Sequence, residues 1–176
     1  MFTCEHISFT SSYFIGMKRL ILTAALALGI GLASFAQTTP QAPAGPLSGP
    51  FPKGERAPVA NFTGVVYVAT LVKNDDTFHC ASSNVTFTPG ARSHWHTHAA
   101  GQILLVTDGL GYYQEKDQPI RQLRKGEVVQ AQPGVEHWHG ASPKQGMTHI
   151  SLNVNTEKGI VDWGRAVTDQ EYASFK

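Results

Sequence analysis

Apolar residues fall in short runs along most of the chain, separated by glycine, proline and aspartate. Residues 65–71 and 85–88 are β-branched and aromatic, and Pro89-Gly90 ends the second run. Residues 102–107 form a third run, closed by Asp108-Gly109. Residues 112–115, 121–123, 127–131 and 148–155 follow at close intervals, punctuated by Gly111, Asp117, Gly126, Pro133-Gly134 and Pro143. Many short strands at this spacing predict an all-β domain, either a sandwich or a barrel. Only residues 168–175 read as helical, with Thr168 as N-cap and Glu171 completing a capping box.

Upstream the pattern changes twice. Met17-Lys18-Arg19 precedes an apolar stretch ending in Ser34-Phe35-Ala36, which reads as a cleaved signal over residues 1–36. Met17 is the natural initiator of such a signal, so residues 1–16 read as a mis-assigned start. Residues 37–58 hold six of the ten prolines and read as an extended linker, with the folded domain at 59–176. The expectation is an exported protein, periplasmic or secreted, with no membrane attachment once the signal is gone.

Removing residues 1–36 takes away Lys18, Arg19 and Glu5, leaving 12 basic and 12 acidic residues. A neutral chain has no electrostatic case for binding nucleic acid or an anionic lipid surface. Cys4 leaves with the signal, so Cys80 stands alone and no internal disulfide forms.

Histidine is the unusual component. Six of the eight, His94, His96, His98, His137, His139 and His149, lie within 56 consecutive residues. His96 and His98 stand at i and i+2, which share one face of an extended strand and converge on one point. Gln102 follows across Ala-Ala-Gly and returns a carbonyl oxygen toward the same point. His137 and His139 repeat the doublet after the Pro133-Gly134 turn. Three imidazoles and an amide oxygen suit a borderline divalent ion with positions left open for a substrate. His94 is expected in the outer shell or in solvent.

In these motifs the sequence resembles the cupin superfamily. The first motif reads Gly90, five residues, His96-Thr97-His98, three residues, Gln102, six residues, Gly109; the second reads Gly126, seven residues, Gly134, two residues, His137. Three departures stand out. Gln102 replaces the usual glutamate, Pro133 is displaced by one place, and Ala141 replaces an asparagine. The resemblance covers about residues 60–155 and implies a single double-stranded β-helix, a jelly-roll barrel, with one metal at its centre and a short C-terminal helix beyond it. The strings VTFTPGARSHWHTHAAGQ, GVEHWHGASP, MTHISL and VDWGRAVTDQEY are similar to those of the bacterial manganese-dependent cupin hydroxynitrile lyases, which cleave (R)-mandelonitrile to benzaldehyde and hydrogen cyanide. That likeness implies metal ligands at His96, His98, Gln102 and His137, with His149 as catalytic base. The implied ion is Mn(2+), with Fe, Zn, Co or Ni as alternatives.

An amide in place of a carboxylate leaves a divalent site formally at +2, a stronger Lewis acid held less tightly. His149 and Ser151 share one strand face, opposite Ile150, Leu152 and Val154; that face looks either to solvent or into a polar cavity, and the likeness to the lyases implies the cavity. His139 reads either as a substrate contact or as a group that orients a ligand. Val85 and Phe87 read as a pocket wall or as plain core. Trp95 and Trp138 alternate with the ligands and point outward, where a second subunit of a homo-oligomer is expected to cover them. Two other readings stay open: a cupin dioxygenase or carboxymuconolactone decarboxylase-like enzyme, and a non-catalytic module binding a metal or small ligand.

Overall fold

The computed structural model describes Leu47 and residues 49–175; the expected signal region lies outside the described residues. Twelve strands are present in chain order: β1 (Glu55–Arg56), β2 (Phe62–Thr63), β3 (Val66–Val72), β4 (Cys80–Phe87), β5 (Arg92–Ser93), β6 (His96–Thr97), β7 (Gln102–Glu115), β8 (Arg121–Arg124), β9 (Val128–Ala131), β10 (His137–Ala141), β11 (Met147–Val154) and β12 (Asp162–Trp163). A 3-10 turn at Thr156–Lys158 precedes β12, and α1 (Asp169–Tyr172) is the one α-helix among the described residues. All pairings are antiparallel. One sheet runs β1-β3-β4-β11-β7 with β9 on the same strand β7. The other runs β2-β5-β10-β7, with β8 on β7, β6 on β10 and β12 on β6.

Strand β7 joins the two layers. Its first half pairs with β9 and β11, its second half with β8 and β10. The turn expected at Asp108-Gly109 is instead a bend within this one strand of 14 residues. Gly109 has φ +82°, and a Cβ there would stand 2.0 Å from the Gly146 carbonyl oxygen. The register against β11 slips between Thr148 and His149 at the same level. A glycine in the left-handed region beside a bulge re-aims a strand without ending it.

Between the layers Val66, Phe87, Leu104, Val106, Leu123, Val129 and Met147 form the main core. Folded structure begins earlier than residue 59. Arg56 pairs with Tyr67, Asn84 Nδ2 donates to the Pro52 carbonyl at 2.9 Å, and the Lys53 ammonium lies over the Tyr67 ring. Prolines spaced this way leave an extended segment whose carbonyls and remaining amides can still join a sheet edge.

Trp95 and Trp138 do point away from the histidines, yet they are only 4% and 0% exposed. Their cover is the chain's own C-terminal segment, so a second subunit is not required for it. Val167 and Tyr172 pack with them and with Tyr112 in a second apolar cluster. The Tyr172 hydroxyl donates to the Ala141 carbonyl at 2.7 Å, and the buried Arg92 guanidinium lies over the Tyr172 ring while donating to Asp169 Oδ1 at 2.6 Å. The capping box is formed as expected: Glu171 N donates to Thr168 Oγ1 at 3.1 Å and Thr168 N to Glu171 Oε2 at 2.8 Å.

This cover should be worth measurable stability. Tyr172→Ala should cost about 3 kcal/mol and Tyr172→Phe about 1 kcal/mol, by analogy with buried aromatic truncations and single hydrogen-bond losses. Urea denaturation checks both; a wild-type midpoint for Tyr172→Ala would show that the tail rests on the barrel without holding it.

Candidate metal centre and pocket

Antiparallel pairing brings the two histidine doublets together. On β6 and β10, His96 stands directly opposite His137. Opposed residues in such a ladder have Cα atoms about 5 Å apart, close enough for ring contact. The ring centroids of His96 and His137 are 4.4 Å apart. His98 lies one step past β6, its ring 5.1 Å from His96 and 5.6 Å from His137. The chain then turns back through Gly101, whose amide donates to the His98 carbonyl at 3.1 Å. Gly101 has φ +82° and passes so near β9 that a Cβ would stand 2.6 Å from the Ala131 carbonyl oxygen. The close return delivers Gln102, at the start of β7, to the imidazoles.

Hydrogen bonds sort the rings. His96 Nδ1 contacts the His94 carbonyl at 2.8 Å and His137 Nδ1 contacts the Val135 carbonyl at 2.9 Å. His98 Nδ1 contacts the Ile160 carbonyl. A carbonyl only accepts, so each of these nitrogens carries the proton and each Nε2 is left with a lone pair. Gln102 Nε2 donates to Ser151 Oγ at 3.1 Å, which turns Oε1 toward His137 Nε2 at 3.2 Å. Two acceptors therefore face each other, and His98 Nε2 is buried without a hydrogen-bond partner among the described residues.

Facing acceptors and an orphaned lone pair in a buried site call for a cation between them. The donor set of imidazole nitrogen and amide oxygen suits a borderline divalent metal. One ring nitrogen each of His96, His137 and His139 also lies within 4.8 Å of the others. His139 differs from the other three, because its Nδ1 meets His149 Nε2 at 3.2 Å instead of a backbone carbonyl. His94 contributes its carbonyl and stays outside the cluster.

Burial keeps these rings neutral. It holds His137 and His149 down at about 4, and pushes His96 and His139 well below the usual imidazole range with help from the neighbouring rings. His98 is lowered by burial too, opposed by the Ile160 carbonyl and Asp162. Neutral imidazole is the form that binds a metal.

His149 is fully buried and, with His139, lines a cavity of about 150 Å³ beside His96, His98 and Gln102. Val85 lines it as well. Phe87, the other expected wall residue, lies one layer deeper, with its ring 5.7 Å from His139 and 5.6 Å from His149. It belongs to the core beneath them, because its cross-strand partner is Met147. The sequence reading missed Phe62, Val68, Ile160, Val161 and Trp163, which complete the apolar wall. Trp163 pairs with His96 across β12 and β6, with the rings 4.9 Å apart. These residues come from outside the histidine motifs, and no local spacing marks them.

The cupin-domain profile matches residues 83–151. An (R)-mandelonitrile lyase from Granulicella tundricola is 41% identical over 117 residues, covering 66% of this chain and 89% of that one. The chain belongs to the cupin family. A cupin-like protein from Thermotoga maritima, solved by crystallography, is 41% identical with a TM-score of 0.71, over 73% of this chain and 98% of its own. A cupin barrel-domain protein from Rhodopseudomonas palustris shares the fold at a TM-score of 0.54 and 18% identity, over 66% and 78% of the two chains. The expected jelly-roll architecture is thus the one this cupin has.

Two outcomes follow from the site. His137 and His149 titrate at about 4 when folded and near the ordinary imidazole value when unfolded. Between those values the unfolded chain binds more protons, so the metal-free protein should lose stability as pH falls from about 6.5 toward 4 and level off below that. Denaturation midpoints across that range check the sign; a flat profile would contradict neutral, buried rings. Gln102→Glu should tighten manganese binding by adding a charge, read by competition against a chelator, and equal affinity would show that residue 102 is not a ligand.

Proposed function

We propose that this cupin is a metal-dependent lyase that cleaves an aromatic cyanohydrin such as (R)-mandelonitrile into an aldehyde and hydrogen cyanide, and catalyses the reverse addition. The observation that carries the proposal is a neutral, buried His149 facing a small apolar-walled cavity beside the imidazole and amide cluster. The Granulicella relative's name supports it. His96, His98, Gln102 and His137 would hold the ion, with Mn(2+) as the favoured occupant. Such an ion, when bound, supplies Lewis-acid stabilisation of negative charge developing on the substrate oxygen.

The protein's own groups do the rest. Val68, Val85, Phe62 and Trp163 seat the aryl ring and exclude water. His149 Nδ1, buried with no hydrogen-bond partner among the described residues, accepts the hydroxyl proton. Its Nε2–H then donates to His139 Nδ1 at 3.2 Å, spreading the charge over two rings. The carbon–carbon bond breaks, the oxygen's electrons close the aldehyde carbonyl, and cyanide leaves with the bonding pair. His149 returns the proton to cyanide, so hydrogen cyanide departs and the ring is neutral again.

General-base removal typically costs about 10² to 10⁴ in rate, so His149→Ala should lower kcat/KM for mandelonitrile by that factor with metal content unchanged. Benzaldehyde absorbance and metal analysis read the two effects separately. Absence of benzaldehyde release by the manganese-loaded wild type overturns the proposal.

A further inference from the structure

The cavity is not lined uniformly. Successive inward residues of β11 are Met147, His149, Ser151 and Asn153, paired on β4 with Phe87, Val85, Ser83 and Ala81. The layers pass from an apolar floor to the His149 level, then to two hydroxyls, then to an amide. At about 3.4 Å per residue, the hydroxyl layer stands about 7 Å from His149 along the strand and the backbone of Asn153 about 14 Å. Ser83, Ser151 and Asn153 all line the cavity.

Two of these groups have different states of satisfaction. The Ser151 hydroxyl accepts from Gln102 Nε2. Asn153 Oδ1 is buried with no hydrogen-bond partner among the described residues. A buried acceptor left unpaired costs free energy that a ligand donor recovers. Phe62, Val68, Val85, Ile160, Val161 and Trp163 line the rest of the cavity, an apolar surface suited to a flat ring.

We propose that Asn153, with Ser83 and Ser151, forms a subsite for a hydroxyl carried on the far side of an aromatic ring, so the preferred substrate is a phenolic cyanohydrin. This rests on the lyase reading only in placing the carbinol end at His149. The ring lies along the apolar wall and the phenolic O–H donates to Asn153 Oδ1. The Ser83 hydroxyl is placed to donate to the phenolic oxygen.

The test compares two neutral probes, 4-hydroxybenzyl alcohol and benzyl alcohol, binding to manganese-loaded and metal-free protein by titration calorimetry. One neutral hydrogen bond to an otherwise unpaired buried acceptor predicts about tenfold tighter binding of the phenol by the wild type. Asn153→Val, a β-branched residue suited to a strand, should level the two affinities, and Ser83→Ala should narrow the gap. Equal affinities in the wild type overturn the subsite, as does a preference that persists in folded Asn153→Val. Mandelonitrile cleavage is assayed in parallel. Cleavage with equal probe affinities removes the subsite and leaves the lyase reading; a phenol preference without cleavage does the reverse.

Discussion

The opposition of His96 and His137 across two short antiparallel strands is the contact from which the rest of the site is built. It places two rings in contact, and the neighbouring positions of each doublet add His98 and His139 to the same space. Each of the first three rings spends one nitrogen on a backbone carbonyl, an exchange worth about 1 kcal/mol apiece. The other nitrogen is thereby pinned as an acceptor, which at His137 faces the Gln102 amide oxygen. A cation between them offsets the repulsion of facing lone pairs, and the β framework fixes the backbone on both sides.

The framework also explains the character of the chemistry. Among the described residues no carboxylate joins the imidazole cluster, and Asp162 acts from beside His98. The amide at residue 102 is held in one orientation by Ser151, so the site presents neutral donors throughout. A cation placed there keeps nearly all its charge for whatever else binds, which favours stabilising an oxyanion over giving up electrons.

Much of this was legible in the residues, and the reasons differ by feature. The i and i+2 histidines declared a shared face because strand geometry has a period of two. Thr168 and Glu171 declared a helix start because a capping box is local. The inward face of His149 came in part from the family likeness, because alternation with Ile150, Leu152 and Val154 does not by itself say which face is inside. What was hidden depends on pairing at long range. Gly109 read as a turn because a left-handed glycine looks the same in a turn and at a bend within one strand. The tryptophans read as an interface because their cover arrives some thirty to seventy residues later in the chain. Phe62 and Trp163 come to the pocket through strands of two residues each, too short for any pattern to show.

The late arrival of that cover has a consequence for how the molecule is made. Val167 and Tyr172 leave the ribosome after every strand they shield. Until then Trp95 and Trp138 lack the cover that Val167 and Tyr172 give them in the finished fold. Closure of the second apolar cluster therefore waits on the last segment of the chain to be made.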